Sequence, residues 1–267
     1  MQVKPWHHYL TGSGFNMTIP GTEIYRYEDD IGRIRVFEEG PFRFLAFSED
    51  SQQTAMNIAH PDTLIFDYTQ AMLLSLAYLP EPNRVTLLGL GGGSLYHAFR
   101  AYSANLQIDA VELRAAVIRI AQEWFYLPDE DERFRLIESD AAEFIADFSG
   151  ETDIIIADIY DDDGMVEQQL SADFLADCFK ALSHNGILVL NVWDQGKGSH
   201  PKAKQALITS FSEDLLACPI ADGNLIILAF KGGMPQINER HLLPLLNRVS
   251  KRLPFTLSKF SGKLKPL

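Results

Sequence analysis

Three patterns in this 267-residue sequence predict an α/β fold: a mostly parallel, helix-covered sheet with an antiparallel C-terminal hairpin, preceded by a small N-terminal β-hairpin domain. From residue 84 onward, short apolar runs alternate with stretches of helical periodicity, the texture of a parallel sheet covered on both faces. Before that point, apolar residues fall at near-alternate positions between turn residues, as in antiparallel hairpins. Near the end, Asp222-Gly223 separates two apolar runs, 215–220 and 224–230, which is a hairpin signal.

The first segment, 23–47, is broken at Asp29-Asp30, Gly32 and Gly40-Pro41 and assigns 1–62 to the hairpin domain. Leu64, Phe66, Tyr68, Met72 and Leu76 then recur at helical spacing until Pro80 and Pro82, which predicts a linking helix within 63–83. Strands are expected at 85–88, 107–112, 134–137, 154–158 and 187–192, with helices near 95–103, 115–124, 141–148 and 172–182. These make 84–235 one α/β domain, and crossovers between its parallel strands should be right-handed. The remainder, 236–267, carries a short helix at 239–249 and a basic, Pro-containing end.

Composition narrows the functional classes. Asp and Glu outnumber Lys and Arg by 36 to 23, giving a net charge of −13, a sign that opposes nonspecific attraction to nucleic acid. No run approaches the roughly 20 apolar residues of a membrane span, and Lys4, Trp6, His7 and His8 stand where a leader peptide needs an apolar core. A cytoplasmic protein without membrane or nucleic-acid partners is expected. Cys178 and Cys218 lack CxxC spacing, and His60, His97, His184, His200 and His241 show no ligand spacing, so buried thiols and no metal are expected.

The run 85–88 leads into Gly89-Leu90-Gly91-Gly92-Gly93-Ser94 and then directly into helix. Glycines let the chain turn sharply and approach a ligand, while the helix N-terminus offers unpaired N–H donors. Glu112 ends the next strand about 20 residues on, where a carboxylate accepts ribose hydroxyls. Asp140, followed by Ala141, has two readings: it receives an adenine amino group, or it caps a helix with Glu143 three residues later. A dinucleotide would use the same loop and acid. Ser94 in the last position of the loop and the terminal hairpin, which is typical of methyltransferase-type sheets, favour an adenosyl sulfonium.

The fourth strand ends in Asp158-Ile159-Tyr160-Asp161-Asp162-Asp163-Gly164, at the sheet edge where open α/β folds bind ligands. Asp158 terminates an apolar run, where a charge is costly unless it is paired or used. Trp193 ends the fifth strand and either lines an acceptor pocket or covers the core.

In order and spacing, residues 23–193 resemble the spermidine synthase family: hairpins, a Gln before a Tyr-bearing helix, GGG after a strand, an acid after the second strand, an Asp after the third and DxxD after the fourth. The resemblance implies an S-adenosylmethionine methyltransferase-type Rossmann sheet and aminopropyl transfer from decarboxylated S-adenosylmethionine to a polyamine or other amine. It further implies that Gln53, Tyr68 and Asp161 meet the acceptor, that Glu112 holds ribose and Asp140 adenine, and that Asp158 is the catalytic aspartate. Tyr160 and Tyr68 offer a hydrogen bond or an aromatic face to a cation. Members of the family commonly pair as homodimers. This sequence departs from the family pattern at Ser94, usually Asp, at Thr69 after the Tyr, and at Asp162-Asp163 where proline is usual. Ser94 leaves room for a donor carboxylate, so methyl transfer from S-adenosylmethionine itself is the alternative reaction, and a non-catalytic nucleoside-binding protein is the third reading.

Overall fold

The computed structural model describes residues 19, 21–47, 52–161, 164–194, 197–221, 223–235 and 239–267. The N-terminal stretch read above for a leader, Asp162, Asp163 and Asp222 lie outside the described residues, as does the side chain of Asp161.

The hairpin domain is a five-stranded antiparallel meander, β1 (Thr22–Glu28), β2 (Arg33–Glu39), β3 (Phe42–Ala46), β4 (Gln52–Asn57) and β5 (His60–Leu64), paired in chain order. Alternation gives it two apolar faces. One face, with Ile34, Val36, Leu45 and Met56, packs on Val117, Ile120 and Phe125, while Phe37, Phe42, Phe44 and Phe66 cluster on the other.

The single helix expected over 63–83 is instead the last residues of β5 and two short helices, α1 (Asp67–Met72) and α2 (Ser75–Tyr78). Residues 69–77 are buried on all sides, so apolar spacing there follows enclosure and not one helical stripe. The break at Leu73 and Leu74 is stitched by tight three-residue bonds, Leu73 N–H to Gln70 O and Leu74 N–H to Ala71 O.

The large sheet is built from β6 (Arg84–Leu88), β7 (Gln107–Glu112), β8 (Phe134–Glu138), β9 (Thr152–Ala157), β12 (Leu182–Trp193), β13 (Leu215–Pro219), β14 (Asn224–Phe230) and β15 (Lys265–Pro266). A two-residue hairpin, β10 (Tyr160–Asp161) with β11 (Gly164–Met165), stands apart from it. Spatial order in the large sheet is β15-β13-β14-β12-β9-β6-β7-β8. β8, β7, β6, β9 and β12 are parallel, and β14 runs antiparallel to β12 and β13. Helices α3 (Ser94–Tyr102), α4 (Ala115–Phe125), α5 (Ala141–Ala146), α6 (Ala172–Ala181), α7 (Pro201–Phe211) and α8 (Glu239–Ser250) cover it. The chain leaves β6 toward β7 and β8 on one side and returns through β9 on the other. Strand order therefore reverses at the β6–β9 boundary, where such sheets open a crevice.

Both faces of the sheet are sealed by apolar clusters, one containing Phe99, Ile108 and Phe260, the other Phe174, Leu190 and Phe211. Cys178 and Cys218 are buried free thiols, and burial pushes the Cys218 thiol up to about 12. Among the described residues, no helix is long and apolar enough to cross a membrane.

Candidate active site

A cavity of about 890 Å³ lies at the β6–β9 crevice, roofed by β4 and α1 of the N-terminal part. Its volume falls in the range of small-molecule sites. Gln53, Tyr68, Gly89, Gly91, Ser94, Glu112, Asp140, Ala141, Asp158 and Tyr160, each expected from the sequence to meet a ligand, all border it.

The glycine loop divides into two parts. Gly89, at φ +95°, lets the ends of β6 and β9 meet, since a Cβ there would collide with the Asp158 carbonyl; the Asp158 N–H donates to Leu88 O at 2.9 Å. Gly92 and Gly93 face protein. A Cβ on Gly92 would lie 2.7 Å from Thr54 Cγ2 and 2.9 Å from the Phe125 ring, and one on Gly93 would lie 2.9 Å from Leu127 Cδ1. The Gly92 N–H is taken by the Thr54 hydroxyl at 2.8 Å, so β4 is seated on the loop. Ser94 opens α3, and its Oγ is buried with no hydrogen-bond partner among the described residues.

Glu112 is buried at the end of β7. Its Oε2 accepts from Leu90 N–H at 3.2 Å and its Oε1 from Arg114 N–H at 3.0 Å. Loss of hydration raises its pKa, against the pull of those N–H groups and of Arg114. The Arg114 guanidinium grips Asp29 through two bonds, 2.7 and 3.1 Å, and donates to Gly32 O at 2.8 Å. The β1–β2 turn is thereby latched beside Glu112.

Asp140 is the N-cap of α5, with Oδ1 accepting from Ala142 N–H at 2.7 Å and Glu143 N–H at 3.1 Å. The cap engages Oδ1 alone, so capping and adenine readings are compatible.

Asp158 follows β9. As a residue it is only partly covered, yet its carboxyl sits deep among protein atoms, and lost hydration pushes its pKa up to about 6. A bond from Asn191 Nδ2 to Oδ1 at 2.9 Å works the other way. Asn191 is buried on β12, and the buried Gln169 Nε2 donates to its backbone carbonyl at 3.3 Å. Tyr68 stacks on Phe66, ring centres 5.6 Å apart, and its hydroxyl lies 3.5 Å from Gln53 O.

Thr54, Arg114, Asn191 and Gln169 were not among the residues picked out from the sequence. Asn191 carried a usable signal, an amide inside the apolar run ILVLNVW. The others join the site through tertiary contacts that no local pattern encodes. His200 borders the cavity, but its Nδ1 accepts from Ala203 N–H at 3.0 Å as the cap of α7.

The family model for the spermine/spermidine synthase domain matches residues 66–233. The polyamine aminopropyltransferase of Neisseria meningitidis serogroup A is 34% identical over 207 residues, covering 77% of this chain and 78% of the relative. A crystal structure of a spermidine synthase in complex with the transition-state analogue AdoDATO superposes with TM-score 0.72 at 20% identity, covering 90% of this chain and 83% of that one. Human methyltransferase-like protein 13, solved with SAH, gives TM-score 0.63 at 21% identity over 72% of this chain and 94% of its own.

Proposed function

The chain belongs to the spermine/spermidine synthase family, and from that premise we propose that it transfers an aminopropyl group from decarboxylated S-adenosylmethionine to an amine, releasing 5′-methylthioadenosine. The observation that carries this reading is Asp158: a hydration-poor carboxyl beside the glycine loop, oriented by Asn191 and open to the cavity.

Such a transfer forms a bond between the amine nitrogen and the methylene carbon next to sulfur. The carbon–sulfur bond breaks, and its electron pair leaves on sulfur as a neutral thioether. An alkylammonium of pKa about 10.4 has no lone pair to donate at neutral pH, so it must first lose a proton. Asp158 is the acceptor of that proton, and a pKa near 6 leaves it ionised at pH 7 while making it more basic than an ordinary aspartate. Glu112 receives the ribose hydroxyls, and Asp140 Oδ2 the adenine amino group. The cavity's acids Glu112, Asp140, Asp158 and Glu167 outnumber its guanidinium, Arg114, among the described residues, which favours a cationic acceptor. Asp161, Tyr160, Gln53 and Tyr68 complete the acceptor side. Enclosure by β4 and α1 limits competing water.

A second reading, methyl transfer from intact S-adenosylmethionine, draws on Ser94, whose neutral hydroxyl and helix N-terminus tolerate a donor carboxylate. The test is turnover of each donor with a panel of diamines and triamines, reading methylthioadenosine against adenosylhomocysteine. Methylthioadenosine is expected from the wild type, with turnover about 10² to 10⁴ lower in Asp158→Asn. Adenosylhomocysteine as the product would select methyl transfer, and wild-type turnover in Asp158→Asn would remove Asp158 as the base.

A further inference from the structure

Trp193 is a large apolar side chain left 46% exposed in a molecule whose other strand-borne aromatics are mostly covered. It ends β12 two residues beyond Asn191, the residue that holds Asp158. Residues two apart on a strand share a face, so Trp193 stands on the Asp158 side, roughly 7 Å further along. Asn191, Trp193 and Asn224, the residue paired with Trp193 across β12 and β14, all border the cavity.

The chain makes specific room for this ring. Gly223, at φ +102°, lies beneath it: a Cβ there would fall 2.8 Å from Trp193 Cη2 and 3.0 Å from Cζ2. The Gly223 carbonyl accepts from Asp194 N–H at 2.9 Å, which fixes the turn against the end of β12. The indole is thus supported from behind by backbone. Among the described residues no arginine or lysine lies over it, whereas Arg43 lies over Trp124 at 5.5 Å.

We propose that Trp193 is a specificity-determining wall of the acceptor compartment, receiving the ammonium at the end of the acceptor remote from the reacting nitrogen. The inference rests on the aminopropyl-transfer reading and adds to it one residue, at the end of β12, that meets the acceptor's second charge. One nitrogen meets Asp158 while the other lies over the indole, where the π face attracts a cation. Acids around the cavity reinforce the preference. A flat ring on a rigid strand gives the second charge a defined place.

The experiment is steady-state kinetics with decarboxylated S-adenosylmethionine on wild type, Trp193→Phe and Trp193→Leu. Each is assayed with an α,ω-diamine, and with the monoamine of equal chain length as alternative substrate or competing inhibitor. Binding of methylthioadenosine and the unfolding midpoint are followed in parallel. Expected is a drop in diamine kcat/KM of about 2- to 30-fold in Trp193→Leu, carried by KM, with Trp193→Phe close to wild type. Constants for the monoamine, methylthioadenosine binding and the midpoint stay near wild type. An equal loss for diamine and monoamine would mean that the ring only packs, and would overturn the proposal. Unchanged diamine kinetics in Trp193→Leu would place the second ammonium elsewhere while leaving aminopropyl transfer standing. Failure of the wild type to use any amine would remove the transfer reading, and this wall with it.

Discussion

Asp158 is held in a state that burial makes unfavourable for its charge. Its carboxyl has lost much of its hydration and receives one bond from Asn191, so its pKa is about 6 in place of 3.8. The folded protein therefore keeps a proton between those values that the unfolded chain has already released. Stability falls as pH rises through this window, and above about pH 6 the penalty is complete. Asparagine has no proton to lose and nearly the same shape. Asp158→Asn should accordingly melt at a higher temperature than wild type at pH 7 to 8, with the two converging near pH 4, measured by thermal unfolding across pH. Equal midpoints at pH 8 would show that the carboxyl is not strained by burial. Glu112 is shifted in the same direction by the same cause, but backbone N–H groups of residues 90 and 114 pull against the shift.

At the scale of elements, the contact of β4 with the glycine loop shows what local sequence can and cannot say. The parallel strands of the large sheet and the glycine loop were legible because a buried parallel strand is a continuous apolar run and the loop follows one directly. β7 and β14 fall where the apolar runs predict, at 107–112 and 224–230, while β12 begins at Leu182, earlier than the apolar run at 187 suggests. α7 and β15 carried no readable signal: PKAKQALITSF has only a weak apolar stripe, and a two-residue edge strand has no periodicity at all. The roles of Gly92 and Gly93 were also hidden, because the residues they accommodate, Thr54, Phe125 and Leu127, are brought there by the tertiary fold. The Thr54 hydroxyl is the partner of a buried N–H. Thr54→Val keeps shape but leaves the Gly92 N–H unpaired, which should cost about 1–3 kcal/mol in chemical denaturation and weaken methylthioadenosine binding. Thr54→Ser, which restores the hydroxyl, should recover most of both. Loss in Thr54→Ser equal to that in Thr54→Val would assign the effect to packing.

At the scale of the molecule, charge and assembly act on the same cavity. A net charge of −13 draws polycations toward it over distances comparable to the Debye length, about 10 Å at 0.1 M salt. Raising salt from 0.05 to about 0.5 M should then depress kcat/KM more for a triamine than for a diamine, and an equal dependence would argue against long-range steering. The N-terminal sheet must also stay seated for the cavity to have a roof, and Arg114 is central to that. Its side chain is 5% exposed, its guanidinium spans Asp29 and the Gly32 carbonyl, and its own N–H holds Glu112, so the hairpin turn and the Glu112 carboxyl share one residue. Burial alone would raise the Asp29 pKa, but bonds from Arg114 and from the Gly32 and Ile31 N–H groups outweigh it and leave the carboxyl below its ordinary value. A lowered carboxylate stabilises the fold above its unfolded pKa, 3.8, and that contribution fades as pH falls through the lower folded value. Asp29→Asn strips the counter-charge from a buried guanidinium. Because Asp29 is partly exposed, the expected cost is about 2–3 kcal/mol, less than for a fully enclosed pair. The loss should be clear at pH 7, shrink below pH 4, and be accompanied by faster amide exchange in residues 29–34 and weaker methylthioadenosine binding. If stability fell while nucleoside affinity and exchange in the turn stayed at wild-type values, the ion pair would be a stabilising contact without influence on the site.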